Sequence, residues 1–179
     1  YYTAESLKAR FSVDGNARMR EYCRTRNLAL NECGTPVVAQ NESELERLYE
    51  LERRGRANGS AVEIIDEARA RELEPNIRTF KKALYSPRTA TIDPAEVCAA
   101  LKQEMLERGV RLVLGAEDKS HRGENVTTGA GDIEAARVIN CAGLYADRVA
   151  RDYGFGFSYT IVPFKGLYLK YEGNQDDVR

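Results

Sequence analysis

The segment that most constrains the fold is residues 137–147, with the sequence Arg-Val-Ile-Asn-Cys-Ala-Gly-Leu-Tyr-Ala-Asp. The β-branched pair Val138 and Ile139 predicts a strand, and small residues then lead to Gly143, after which a helical pattern begins at once. A strand, a tight turn and a helix N-terminus together bring unpaired backbone N–H groups to the polar edge of a cofactor. The same pattern also fits a glycine that only turns the chain from strand to helix.

The residues before this segment extend the same kind of pattern. Residues 93–96 (Asp-Pro-Ala-Glu) predict a helix start, with an N-cap Asp, a Pro at the first helical position and a Glu at the third. Gly109 should end this helix, a strand is expected at 110–114, and the polar stretch 117–131 predicts a small β-meander. A helix, strand, meander, strand and helix joined by short connections favour part of a parallel α/β sheet.

The first half of the chain predicts a separate α+β lobe, and the last part predicts one long strand over 159–171, bent near Pro163. The elements expected in the first half are a helix over 4–24 broken near Gly15, a strand at 36–39, a helix capped by Asn41 with Glu44, a strand at 62–65, a short helix capped by Asp66, and a pair of strands at 83–85 and 89–92 around a Ser86-Pro87 turn.

Charge, hydropathy and cysteine content limit the classes of partner and the cellular compartment that fit this chain. The chain has 27 basic and 28 acidic side chains and a net charge of -1, so it lacks the basic excess that a nucleic-acid partner requires. No apolar run approaches the roughly 20 residues of a membrane-spanning helix. Four cysteines without CxxC spacing predict reduced thiols and a cytoplasmic protein.

Few side chains suggest chemistry by themselves. His121 lies in a polar stretch that favours a solvated loop residue over a general base. Lys165, next to Gly166 in an apolar strand, either faces solvent or points at an anionic ligand. Arg88 is either an anion ligand or an exposed turn residue. No Ser-His-Asp pattern, Walker loop, zinc spacing or other metal-ligand cluster is present in the sequence.

Four ordered blocks carry a resemblance to a known family over essentially the whole chain. They are 1–9 (YYTAESLKA), 73–77 (LEPNI), 140–147 (NCAGLYAD) and 161–168 (IVPFKGLY). In this order they resemble the L-2-hydroxyglutarate oxidases and dehydrogenases, which are flavoenzymes of the FAD-dependent, D-amino-acid oxidase-like superfamily. The resemblance implies oxidation of L-2-hydroxyglutarate to 2-oxoglutarate with hydride transfer to FAD.

The resemblance also implies a domain organisation. It predicts an α/β plus α+β fold, in which part of a parallel-sheet FAD-binding domain is interleaved with part of a mixed-sheet substrate domain. Residues 1–92 would form mainly the substrate-domain lobe, 93–155 part of the FAD-binding domain, and 156–179 a return strand of the substrate domain.

The site residues follow from the same resemblance. Lys165 with Gly166 corresponds to a basic-Gly pair at the wall of the family's substrate pocket, and a cation there suits a dicarboxylate. A backbone contact to adenine is implied at position 118, where the family more often has an apolar residue. The implied cofactor-binding residues are Asp118, Cys141, Ala142, Gly143 and Leu144, and the implied substrate-binding residues are Tyr2, Lys165, Gly166 and Tyr168. The catalytic residue is unknown, because the family's His would precede Tyr1, and no metal is implied.

The family's GxGxxG loop would also precede Tyr1, so we expect an internal fragment that binds FAD poorly or not at all and does not turn over. We also expect it to be marginally stable or to self-associate. The implied partner is a small 2-hydroxy acid, with an unknown electron acceptor. Two alternatives stay open: a related flavoenzyme acting on glycerol 3-phosphate or an amino acid, and a non-catalytic binding module. A cytoplasmic location is expected, with peripheral membrane association as the alternative for the full-length protein.

Overall fold

The computed structural model describes residues 2–168, 172 and 173. The chain divides into two compact units, which we call unit 1 (Tyr1–Glu104 with Glu172–Arg179) and unit 2 (Met105–Tyr171). Among the described residues, no helix is both long enough and apolar enough to cross a membrane. The assignment of the three predicted regions to substrate and flavin domains stays a prediction.

Unit 1 is built on a three-stranded antiparallel sheet. Strand β4 lies at its centre, between β2 and β3, and the short strands β1 and β5 form a second antiparallel pair. The elements in chain order are α1 (Leu7–Thr25), β1 (Leu30–Asn31), β2 (Thr35–Val38), α2 (Glu42–Ala57), β3 (Glu63–Asp66), α3 (Glu67–Leu73), β4 (Lys82–Ser86), β5 (Thr91–Ile92) and α4 (Pro94–Glu107), which continues into unit 2.

The helices of unit 1 start where the sequence supplies a capping side chain. The Asn41 side chain accepts a hydrogen bond from the Glu44 amide at 3.1 Å, and the Glu44 carboxylate accepts one from the Gln40 amide at 2.8 Å. This reciprocal arrangement satisfies amides that the first turn of a helix leaves unpaired. Asp66 caps α3 in the same way, and the Asp93 carboxylate accepts hydrogen bonds from the Ala95 and Glu96 amides at the start of α4. All three predicted caps are confirmed.

The core of unit 1 forms on both faces of β4, because successive residues of a strand point to opposite faces. Leu84 packs with Ala39, Leu45 and Leu48 under α2, whereas the neighbouring Ala83 packs with Ile65 and Ala70 beneath α3. Every hydrophobic residue that is fully buried within 2–168 belongs to unit 1.

Two predictions for unit 1 are wrong. Helix α1 continues without a break through Gly15, because a single exposed glycine costs only about 1 kcal/mol of helix stability. The segments 83–85 and 89–92 do not pair with each other: β4 pairs with β2 and β3, and β5 pairs with β1. Burial of the β4 side chains favours the central position over a local hairpin.

Unit 2 contains a three-stranded antiparallel meander and one short helix. The strands are β6 (Asp118–Arg122), β7 (Asn125–Thr128) and β8 (Gly131–Glu134), in that order across the sheet. A single 3-10 turn at Gly143–Tyr145 leads into α5 (Ala146–Asp152). The predicted meander is confirmed, and a helix follows Gly143 as predicted.

Three segments predicted as strands have no ladder partner in the described part of unit 2: 110–114, 137–140 and 159–168. Residues 169–171 and 174–179, which also fall in the predicted return strand, lie outside the described residues. All ladders within the described ranges are antiparallel, so the parallel sheet is not confirmed. A buried parallel strand forms only against neighbouring strands, and Ile139 is instead 85% exposed.

Candidate functional site

The turn between residues 140 and 146 is held by the side chain of Asn140. Its amide group donates a hydrogen bond to the Ala146 carbonyl at 2.8 Å, and its carbonyl oxygen accepts one from the Ala142 amide at 3.1 Å. Gly143 adopts a φ of +56°, and a Cβ there would meet nothing within 4 Å. The left-handed backbone, rather than lack of room, therefore favours glycine at this turn.

An open pocket of about 230 Å³ lies beside this turn within unit 2. That volume is below the roughly 300–1,000 Å³ of a pocket for a whole drug-sized ligand. It brings Asp118 together with Cys141 and Ala142, whereas Gly143 and Leu144 do not line it. The full lining is Asp118, Val126, Val138, Ile139, Asn140, Cys141, Ala142, Val149 and Tyr153.

Two buried polar atoms of this pocket have no hydrogen-bond partner in the described structure: Oδ1 of Asp118 and the hydroxyl oxygen of Tyr153. An unpaired buried polar group costs about 1–3 kcal/mol, so such atoms are uncommon without a ligand or water. Burial, followed by the nearby negative charge of Asp118, raises the pKa of the Tyr153 phenol. Tyr153 therefore stays a hydrogen-bond donor at neutral pH.

His121 differs from its predicted place in a solvated loop. It lies on β6, is partly buried, and stacks on the Tyr153 ring with 3.7 Å between centroids and 5° between planes. From sequence, Tyr153 is one of several amphipathic tyrosines that either line a pocket or pack against neighbours, and in the structure it lines this pocket. It follows Val149 by one helical turn, which places both side chains on one helix face.

Asp147 ties the segment after α5 back onto that helix. Its carboxylate accepts a hydrogen bond from the Ile161 amide at 3.1 Å and lies 3.2 Å from the Arg151 guanidinium. Arg151 also donates to the Tyr159 carbonyl at 2.6 Å. The Ile161 hydrogen bond is the main cause of a pKa of Asp147 below its usual range, and the charge of Arg151 adds to it.

The predicted substrate residues of unit 2 lie on this returning segment and outside the pocket. Lys165 and Gly166 are exposed, and Tyr168 is 93% exposed. A Cβ at Gly166 would come within 2.8 Å of Cε2 of the Tyr168 ring. A side chain at position 166 would therefore require the exposed Tyr168 ring to turn away.

Tyr2, the predicted substrate residue of unit 1, lines a second cavity of about 230 Å³ together with Arg88. Tyr2 accepts a hydrogen bond at its backbone carbonyl from Asn58, at 3.0 Å. The Arg88 carbonyl accepts hydrogen bonds from Arg20 at 3.0 Å and from Asn16 at 3.5 Å. These bonds fix the backbone of the turn that carries Arg88. No group of three or more His, Cys, Asp or Glu residues that could hold a metal ion occurs in the described ranges.

A family model described as FAD dependent oxidoreductase matches residues 1–178 of this chain. The chain belongs to the FAD-dependent oxidoreductase family. The predicted flavoprotein family is thereby confirmed for essentially the whole sequence.

The curated relatives carry a more specific name. The chain is 33% identical over 175 residues to the L-2-hydroxyglutarate dehydrogenase of Escherichia coli, covering 95% of this chain and 41% of that protein. It is 30% identical over 186 residues to the mitochondrial L-2-hydroxyglutarate dehydrogenase of Homo sapiens, covering 94% of this chain and 40% of that protein. The chain thus spans about two fifths of the length of the relatives it matches.

Solved structures show the same fold at lower identity. Glycine oxidase from Geobacillus kaustophilus superimposes with a TM-score of 0.75 at 23% identity, over 87% of this chain and 45% of that one. The L-α-glycerophosphate oxidase of Mycoplasma pneumoniae, solved with FAD bound, gives a TM-score of 0.73 at 21% identity, over 85% of this chain and 43% of that one. These likenesses establish the fold and leave the substrate open.

Proposed function

We propose that this chain is part of a flavin-dependent enzyme that oxidises L-2-hydroxyglutarate to 2-oxoglutarate. The observation that carries the proposal is the similarity to L-2-hydroxyglutarate dehydrogenases across 94–95% of the chain. In this reaction the substrate carbon loses a hydride, its hydroxyl group loses a proton, and a carbonyl group forms. FAD, when bound, supplies the two-electron acceptor for that hydride.

The residues of unit 2 fit a bound dinucleotide cofactor in part. The pocket beside Asn140 combines apolar walls with two unpartnered polar atoms, which is the composition expected where one ring of a ligand is held and oriented. We propose that Asp118, Cys141 and Ala142 contact the cofactor there. Gly143 and Leu144, on the adjoining turn, are proposed to contact it outside the pocket.

The substrate has two carboxylates, and a cationic side chain is a suitable partner for each of them. Arg88 beside Tyr2 in unit 1 offers a guanidinium that can bind a carboxylate with two parallel hydrogen bonds. Lys165 in unit 2 offers a point charge, with Gly166 and the Tyr168 hydroxyl next to it in sequence. We propose that Lys165, Gly166 and Tyr168 contact a carboxylate of the substrate. Carboxylate binding by Tyr2 and Arg88 at the cavity of unit 1 is a separate proposal.

The domain assignment belongs to the same proposal. Residues 1–92 would lie mainly in the substrate domain, 93–155 in the FAD-binding domain and 156–179 in a return strand, with 110–114 and 137–140 pairing as parallel strands in the complete protein. Poor FAD binding and self-association of the isolated chain stay predictions. The cytoplasmic location is likewise proposed, with peripheral membrane association as the alternative.

Anaerobic reduction of the flavin in the full-length protein tests the function. L-2-hydroxyglutarate should bleach the flavin absorption band, whereas its D-enantiomer, glycerol 3-phosphate and amino acids should not. Bleaching by glycerol 3-phosphate alone would overturn the substrate assignment. A colourless protein that takes up no FAD would overturn the proposal that the full-length protein is a flavoenzyme. An Arg88→Met or Lys165→Met variant should raise KM for the dicarboxylate, whereas Lys119→Met, on the exposed face of β6, should leave it unchanged.

A further inference from the structure

The lining of the unit 1 cavity changes from apolar to polar along β4. Leu84 and Ser86 both line the cavity, because residues two positions apart in a strand lie on the same face. Leu84 is 4% exposed, Ser86 is partly buried, and Arg88, in the turn after the strand, is exposed. The cavity therefore has a buried apolar part at the centre of β4 and a cationic rim beyond its end.

Helix α1 lines the same cavity with the same change of polarity. Ala9, Val13 and Asn16 are spaced by four and three residues, which places them on one helix face. Ala9 is 3% exposed, Val13 is partly buried and Asn16 is exposed. The polar ends of the two elements meet, because the Asn16 amide group donates a hydrogen bond to the Arg88 carbonyl at 3.5 Å. The strand and the helix thus make one end of the cavity polar.

Arg88 supplies the charge of this lining. It is the single charged residue among the described residues that line the cavity, and its guanidinium has no ion pair or hydrogen bond within the described ranges. Arg20, which donates to the Arg88 carbonyl at 3.0 Å, pairs instead with Glu32. The turn backbone is also held by the Gly34 amide, which donates to the Thr89 carbonyl at 3.0 Å. A fixed turn thus presents a cation that is not neutralised at the rim of the cavity.

We propose that the unit 1 cavity binds a carboxylate that carries a short aliphatic chain. The Arg88 guanidinium binds the carboxylate group with two parallel hydrogen bonds, and the chain lies along apolar residues such as Val13 and Leu84. An arginine alone would bind a phosphate equally well. The apolar side chains beside it favour an anion with methylene groups, because burial of those groups stabilises the complex. The volume of about 230 Å³ limits the ligand to a small molecule.

Two molecules offer this chemistry. The first is the substrate of the proposed function, whose unsubstituted end is a carboxylate on two methylene groups, and the second is a separate short-chain acid. We expect the substrate, and that assignment rests on the proposed function, whereas binding of an acid does not. Arg88 would then select substrates by the carboxylate at the end remote from the hydroxyl group.

Titration of the 179-residue chain with propanoate, butanoate and pentanoate, followed by NMR, tests the cavity itself. We expect amide shifts at lining residues such as Ser12 and Leu84, and an affinity that rises about fourfold with each added methylene group. Arg88→Met should weaken binding of pentanoate by about tenfold or more, and Arg88→Lys, which keeps the charge without the planar fork, by less. Arg10→Met, at an exposed position of α1 outside the lining, is the matched control and should bind as the wild type does.

The outcomes separate a site for an aliphatic acid from an exposed charge. Affinity that is independent of chain length, or inorganic phosphate that binds as tightly as pentanoate, would show only an exposed charge and would overturn the proposal. Absence of binding, or binding that survives Arg88→Met, would overturn it as well. Arg88 is exposed, so its replacement should leave the melting temperature of the chain unchanged.

Flavin reduction in the full-length protein identifies the source of the carboxylate. If the cavity takes the substrate, pentanoate should compete with L-2-hydroxyglutarate. Arg88→Met should then lose most of the preference for L-2-hydroxyglutarate over L-2-hydroxypentanoate, which has a methyl group in place of the remote carboxylate. Pentanoate that binds without competing overturns the assignment to the substrate and leaves a site for a separate acid. Absence of reduction by L-2-hydroxyglutarate overturns the proposed function and leaves the binding result standing.

Discussion

Units 1 and 2 differ in whether their apolar side chains find neighbours within the described chain. In unit 1, Leu48, Ala83 and Leu84 are almost fully buried around a central strand. In unit 2 no hydrophobic residue of the described ranges is fully buried, and Ile139 and Phe164 are 85% and 91% exposed. Similar apolar runs therefore lead to a closed core in one unit and to open faces in the other.

The difference lies in the kind of pairing that each unit requires. The sheet of unit 1 is antiparallel, and its strands all lie within residues 35–86. Antiparallel strands can pair without a crossover connection, whereas parallel strands need crossover connections and a sheet that is covered on both faces. The meander of unit 2 forms because its pairing is local; 110–114 and 137–140 have no such partner in the described structure.

The largest expected effect is a core truncation in unit 1. Leu48→Ala should lower the free energy of unfolding of the 179-residue chain by about 2–5 kcal/mol, because it removes a buried side chain and leaves a cavity. Ile139→Ala in unit 2 should change it by less than about 0.5 kcal/mol, as expected for an exposed position. Urea unfolding followed by circular dichroism measures both variants.

The same two variants in the full-length protein test whether segment 137–140 is covered there. If 137–140 is a covered parallel strand there, Ile139→Ala should cost as much as Leu48→Ala. A small cost for Ile139→Ala in the full-length protein would show that this face stays open, and would count against the proposed parallel sheet. A large cost in the 179-residue chain would contradict the exposure of Ile139 described here.

The next effect uses two helical glycines of unit 1 with opposite surroundings. A Cβ at Gly55 would come within 2.8 Å of Cγ2 of Val62, whereas a Cβ at Gly15 would meet nothing within 4 Å. Since Val62 is branched and short, Gly55→Ala should destabilise the chain by about 1–3 kcal/mol. Gly15→Ala should stabilise it by about 0.5–1 kcal/mol through helix propensity. Thermal melts that move in the same direction for both variants would contradict tight packing at α2.

The local elements of the fold were predictable from sequence, and their partners were only partly so. Asn41 and Asp66 were identified as caps because capping depends on residues within one helical turn. The position of β4 between β2 and β3 was missed, because it depends on burial contributed by both neighbours. The predicted strands at 137–140 and 159–168 follow from composition alone, but a ladder also needs a second strand.

The candidate site was likewise only partly predictable from the sequence. The strand–turn–helix pattern pointed to Gly143, and the resemblance implied Asp118, Cys141 and Ala142. The structure brings the last three residues to one pocket. The stacking of Tyr153 on His121 was missed, because it joins the end of α5 to the meander and no local pattern signals a contact between the two. The sequence shows Arg88 only as a single turn residue, and its place in one cavity with Tyr2 is visible only in the structure.

A smaller effect is expected from the side chains that organise helix starts and turns. Asn41→Ala should cost about 1 kcal/mol, because it removes the acceptor for the Glu44 amide at the start of α2. Asn140→Ala should leave the stability of unit 1 unchanged and loosen the turn before α5, where its side chain makes two hydrogen bonds. Amide hydrogen exchange of both units measures this. Faster exchange in α2 after Asn140→Ala would contradict their separate roles.

The smallest effect is electrostatic, and its sign follows from two carboxyl groups with lowered pKa values. Hydrogen bonds from Arg53 and Arg54 lower the pKa of Glu50 from 4.5 to about 2, and the Ile161 amide lowers that of Asp147 below 3.8. A folded-state pKa below the unfolded value gives stabilisation that is present above the unfolded pKa and is lost as pH falls through the folded one. Both contributions should therefore persist at neutral pH and disappear in acid, over about pH 4.5 to 2 for Glu50.

Carboxyl titration by NMR checks the two pKa values, and two neutral variants separate the units. Glu50→Gln should flatten the acid loss of stability only slightly, because its partners are solvated on the surface of α2. Asp147→Asn should also speed hydrogen exchange at the Ile161 amide, because the carboxylate is its acceptor. If that amide exchanges at the wild-type rate in the variant, Asp147 does not hold the returning segment on α5. The anchor would then have to be Arg151, through its hydrogen bonds to Tyr159 and Thr160.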